Sequence, residues 1–172
     1  MSPRRTAAPA VTIDILVEGG DWPGRARLRT LARKAIAAAM ARAEPPLAPG
    51  PEVSLLFTDD AHMRGLNHRY RGKDKPTNVL SLPGAPVLPG RLGPPLGDIV
   101  LAAETIRHEA DDQGLALEDH LTHLIVHGFL HLIGHDHEDE AEALAMEGLE
   151  TAILGDLGIA DPYAASGAAD QR

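Results

Sequence analysis

The residues best suited to chemistry are histidines. Five of the nine fall between His123 and His137. The segment reads His127-Gly128-Phe129-Leu130-His131-Leu132-Ile133-Gly134-His135-Asp136-His137. The apolar run around it predicts a helix, and a spacing of four puts the rings of His127 and His131 on one helical face, about 5–6 Å apart at Cβ. Gly134 can adopt positive φ and end that helix. The chain can then turn back so that His137 completes a three-histidine site. Three protein ligands leave the fourth position of a tetrahedral ion open to water or substrate, which is the pattern of catalytic rather than structural zinc.

The frame H-x3-H-x5-H with a central glycine is that of the metzincin proteases, with one departure. Their glutamate after the first histidine is here Gly128. The ligands suit zinc, and imidazole equally admits nickel, cobalt or iron, but the protease's general base is missing. His135 is expected to point away from the ion. His120 and His123 fall on the ligand side of the same helix and are read as lining or supporting groups, with His123 a candidate base. Asp136 is read either as an acceptor orienting a ligand ring or as a cap for the following acidic helix.

A second stretch can touch phosphate. Five of sixteen Lys/Arg lie between Arg64 and Lys75. They form either a solvated loop or a phosphate-contacting patch in which arginine pairs bidentately with a phosphodiester.

The elements that must position these groups follow from pattern and punctuation. Strands are expected at 11–17, 53–58, 77–82 and 99–102. Helices are expected at 25–43, from Asp59 or Asp60 to about 70, from about 103 to 110, at 117–133 and at 138–154. Residues 83–97 hold five prolines and four glycines and read as a loop. The acidic residues of the last helix, Glu150 among them, are expected on a solvated face. This is an α+β domain with a small mixed sheet of about four strands and about five helices, the metal site lying at the end of a central helix. It covers 11–163, with a flexible segment at 1–10 and a frayed tail at 164–172.

With 172 residues the chain can bury a core without staples, and zero cysteines exclude disulfides, cysteine-ligated zinc and thiol catalysis. Aromatics at 3% argue against sheets with rows of exposed base-stacking rings. The net charge of −9 argues against nucleic acid until it is located. Residues 1–91 carry 14 Lys/Arg and 8 Asp/Glu, a net of +6, whereas residues 92–172 carry 2 and 17, a net of −15. The basic half is the half holding the phosphate-contacting stretch. Arg4 and Arg5 are followed by no apolar segment, and the run 11–17 contains Asp14, so the reading is a cytoplasmic protein with no membrane partner.

The segments LNHRYRGKDKPTNVLSLP and HGFLHLIGHDH, joined by LGDI at 96–99 and by a C-terminal DPY at 161–163, resemble the bacterial YbeY family. The likeness covers about residues 11–163. It implies a small α+β domain and a metal-dependent endoribonuclease specific for single strands. That activity would serve maturation of the 16S rRNA 3′ end and ribosome quality control. The partners would be rRNA and the small ribosomal subunit or its assembly factors, with one zinc ion and no small organic cofactor. It matches His127, His131 and His137 to the zinc ligands and Arg71 to the functional arginine near the metal; the basic stretch itself adds Arg69, Lys73 and Lys75 as phosphate contacts. Asn78 stands where the family commonly has Asp, and Leu82 where it has Phe. The attacking group is open between metal-activated water, a base such as His123, and the RNA's own 2′-OH. Two other readings compete: a metalloprotease-like hydrolase, and a non-catalytic assembly module stabilised by zinc.

Overall fold

The structure is a computed structural model that describes residues 10–163. Nine elements follow in order: β1 (Thr12–Val17), α1 (Arg25–Ala43), β2 (Glu52–Thr58), α2 (Asp60–Arg71), β3 (Val79–Pro83), β4 (Pro95–Ala102), α3 (Ala103–Gln113), α4 (Leu117–Leu132) and α5 (Glu140–Asp156). The four strands form one sheet in the order β1-β2-β4-β3. β1, β2 and β4 run parallel, and β3 pairs antiparallel to β4. This is the mixed α+β architecture expected. The segments read as flexible, 1–10 and 164–172, lie outside the described residues except for Ala10.

Alternation along β2 sends Val53, Leu55 and Phe57 to one face of the sheet. There they join Ile99 and Leu101 of β4 and the apolar stripes of α1, α4 and α5 in the main core. α4 packs among its neighbours with Leu121, Ile125, Phe129 and Leu130 fully buried. The opposite face carries a smaller cluster in which α2 places Met63 over Leu80, Val100 and Ala102.

Side chains stop and start the helices as their types dictate. Asp59 caps α2, accepting the His62 N–H at 2.8 Å, and Asp139 caps α5, accepting that of Glu142 at 2.7 Å. Bidentate pairs Arg27–Glu118 and Arg42–Asp156 tie α1 to α4 and α5 at the surface.

The loop expected over 83–97 is shorter than its composition suggests. Pro83 still belongs to β3, and β4 begins at Pro95. Gly84 N–H reaches Leu96 O at 2.9 Å, and Glu52 N–H reaches Pro94 O at 2.7 Å, so the backbone pairs through prolines and glycines that locally favour turns. Gly97 makes this possible. Its φ is +134°, and a Cβ there would run into the carbonyl of Leu82 across the pairing.

Candidate metal centre

α4 carries a line of imidazoles at positions 120, 123, 127 and 131, all on one side of the helix. The ring centroids of His120 and His123 are 6.2 Å apart, those of His123 and His127 6.4 Å, and those of His127 and His131 4.7 Å. α4 ends at Leu132, and Gly134 takes φ +101°. That turn returns His137 to within 4.9 Å of His131 and 5.9 Å of His127, centroid to centroid. One ligand atom from each of His127, His131 and His137 lies within 4.8 Å of the others, so the three could hold a metal ion. The Nε2 atoms of His127 and His131 are 3.1 Å apart.

The donor set fits a divalent transition metal. Metal ligation needs neutral imidazole, and burial, with His127 and His137 close by, lowers the His131 pKa to about 4. The His127 ring is fixed from behind by Glu150 of α5, whose side chain is fully buried. Burial alone would push this carboxyl up, but hydrogen bonds from His123 and His127 outweigh it and hold Glu150 well below the usual carboxylate range. An ionised carboxylate only accepts, so all its partners donate: His127 Nδ1–H to Oε1 at 2.5 Å, and His123 Nε2–H (2.9 Å) and Tyr163 O–H (2.5 Å) to Oε2. The His127 Nε2 lone pair is thereby left facing His131 and the groove.

Glu150 corrects the expectation of a solvated face. It sits in the apolar stripe of α5 with Met146, Ile153 and Leu154, and that placement was the available signal. A carboxylate at helical spacing from three apolar core residues is buried and must have partners. Asp136 does not cap α5. Its Oδ1 accepts the N–H of His137 at 2.8 Å, closing its own turn, while Glu150 orients the ring and Asp139 caps α5. His123 faces Glu150 and Tyr163 rather than the open groove. His135 lines the groove outside the ligand trio.

Gly128, the departure from the protease frame, has a packing cause. A Cβ at this position would stand 2.9 Å from Ile99 Cγ2 and 3.2 Å from both Ser81 Oγ and Val79 Cγ2. Ser81 also donates to the Gly128 carbonyl at 3.0 Å. α4 rests on β3 and β4 through this glycine, which leaves no space for a glutamate.

The trio lines a groove of about 820 Å³ that Tyr70 and Arg71, at the C-terminal end of α2, also line. The five cations of this stretch divide. Arg64 is paired to Asp74 at 2.8 Å and 3.1 Å. Arg69 lies over the Tyr70 ring at 5.7 Å. Lys73 and Lys75 line a flanking cavity of about 300 Å³, which shares Arg71, Thr77 and Asn78 with the metal groove. Arg71 has no carboxylate partner among the described residues. Asn78 donates to Glu109 at 3.0 Å and 3.3 Å, and His120 donates to the same carboxylate at 3.0 Å. The amide suits this place, because an aspartate would set two carboxylates against each other.

A histidine trio at the end of a central helix, in a groove that Arg71 also lines on an α+β scaffold, defines a protein with a metal-capable hydrolase-type site. Comparison then gives the family. The family model described as Endoribonuclease YbeY matches residues 22–158. Relatives named Endoribonuclease YbeY include one from Chelativorans sp., 55% identical over 92% of this chain and 96% of its own length. Another, from Rhizobium meliloti, is 52% identical over 90% of this chain and 95% of its own. A solution structure from Thermotoga maritima shares the fold with a TM-score of 0.53 and 22% identity, covering 86% of this chain and 92% of that one. The chain belongs to the YbeY family.

Proposed function

We propose that this chain is a metal-dependent endoribonuclease that cuts single-stranded RNA in the cytoplasm. Its target is ribosomal RNA, in 16S 3′-end processing and in ribosome quality control. The observation that carries the reading is that Arg71 and the His127–His131–His137 trio line one groove. Relatives matching nine-tenths of the chain bear the name of that activity.

His127, His131 and His137 would hold a divalent ion, zinc being best suited to three neutral imidazoles, and that ion would supply a Lewis acid for a phosphodiester oxygen and acidify water. The protein does the rest. Glu150 holds His127 in the tautomer that presents Nε2, and His123 and Tyr163 hold Glu150. Arg71 offers N–H donors to the nonbridging oxygens, where charge accumulates as the bond breaks. Arg69, Lys73 and Lys75 receive neighbouring phosphates of the strand. The packing at Gly128 disfavours the protease alternative, which needs a glutamate there.

The test is cleavage of a single-stranded RNA by purified protein with metal content measured alongside. Wild type should carry about one metal per chain and cut. His131→Ala should lose both properties. A wild type that binds metal stoichiometrically yet cuts no RNA, alone or within small-subunit particles, would overturn the proposal.

A further inference from the structure

The sheet face on the α2 side is covered unevenly. α2 lies over the end that holds Leu80, Val100 and Ala102. Two residues further along the same face, Ser54 of β2 stands opposite Asp98 of β4. Here, at the C-terminal end of α2, the face is left open as a cavity of about 250 Å³. Tyr70, Leu82, Pro83, Ser54, Glu52 and Asp98 line it. Tyr70, Leu82 and Pro83 also line the metal groove, so the two cavities are continuous across one ridge. Tyr70 is 55% exposed, with the Arg69 guanidinium over its ring.

We propose that this cavity is a nucleobase subsite for the strand whose phosphodiester lies at the histidine trio, with Tyr70 as the stacking surface and Asp98 and Glu52 as the edge-reading acceptors. The proposal rests on the endoribonuclease reading above. Its ligand class follows from the lining. Two carboxylates repel a phosphate, so the part of the strand that enters is the base. Exposed aromatic rings stack unpaired bases, and acidic side chains accept from their edges. A carboxylate accepts only, so it favours bases with amino donors and disfavours uracil, whose ring offers a single N–H. Guanine fits best, because its N1–H and N2–H point in parallel toward one carboxylate. One stacking ring suffices for one base, which is compatible with the low aromatic content of the chain.

The test uses zinc-loaded protein and fluorescein-labelled 2′-O-methyl oligouridylate, plain or with one guanosine, read by anisotropy. Cleavage of the matching RNAs is followed in parallel. Wild type should bind the guanosine strand about tenfold more tightly than the plain one. Tyr70→Ala should weaken both by about tenfold, and Tyr70→Phe should not. The Glu52→Ala/Asp98→Ala pair, both exposed positions, should erase the guanosine preference. Equal binding of the two strands by wild type, or a preference that survives the double substitution, would overturn the subsite. RNA cut without base preference removes the subsite alone, whereas absence of any RNA cleavage removes the endoribonuclease reading beneath it.

Discussion

The carboxylate of Glu150 stands 2.5 Å from Nδ1 of His127, although 23 residues and a helix boundary separate them in sequence. It holds a ligand ring by its far nitrogen. Outer carboxylates of this kind raise ligand basicity and fix the tautomer.

Glu150→Gln keeps the shape of the side chain and removes the charge. Zinc affinity, measured by competition with a chromophoric chelator, should fall by roughly ten- to a hundredfold. Glu150→Ala should also lower stability by about 1–3 kcal/mol, because the buried donors of His123 and Tyr163 lose their acceptor. Unchanged zinc affinity in Glu150→Gln would deny the carboxylate its positioning role.

Arg71 is exposed and carries no packing, so Arg71→Ala should fold and retain full metal content. Cleavage of single-stranded RNA should drop by at least about a hundredfold, the cost typical of a lost charge-stabilising donor. Arg71→Lys should recover little of it, since a point charge does not reproduce a bidentate fork. The product ends report the nucleophile: a 2′,3′-cyclic phosphate marks attack by the RNA's own 2′-OH.

Chelation separates a working ion from a structural one. The main core is built from α1, α4, α5 and the sheet without any of the three ligands. Treatment with a chelator should abolish cleavage while the far-ultraviolet circular dichroism spectrum stays that of the folded chain. Collapse of that spectrum would favour the zinc-stabilised assembly module.

Gly128 should tolerate no side chain. Gly128→Ala forces a methyl against Ile99, Ser81 and Val79 and should cost about 1–3 kcal/mol in urea unfolding. Gly128→Glu should cost more and yield no peptidase.

Glu109 gives the pH dependence its sign. Burial raises its pKa, but the hydrogen bonds from His120 and Asn78 outweigh burial and set it below the ordinary carboxylate value of 4.5. A lowered folded pKa means stability fully present above the unfolded value and lost as pH falls through the folded one. The stability gap between wild type and Glu109→Gln should therefore be constant near neutral pH and narrow only below about pH 4.5. Asn78→Asp should behave oppositely. It should be destabilised at neutral pH by facing carboxylates and recover as acid protonates one of them.

Much of this was legible in the sequence because it is local. The spacing of His127, His131, Gly134 and His137 encodes a helix, a reversal and a convergence within eleven residues. The strands and helices likewise follow from period and punctuation. What the sequence withheld is non-local. Glu150 looks like its acidic neighbours on α5 until that helix docks on α4. The start of β4 is hidden because pairing with β2 and β3 overrides the turn preference of proline and glycine. Asn78 is a neutral departure in sequence and becomes a paired donor only beside Glu109.

The order in which these groups occur along the chain has a consequence for folding. Arg71 and the three histidines precede Glu150 and Tyr163 in the sequence, yet it is the later pair that steadies the His127 ring. The metal centre is therefore finished by the docking of α5 on α4, and a chain in which those two helices have parted keeps its ligands while losing the carboxylate that orients one of them.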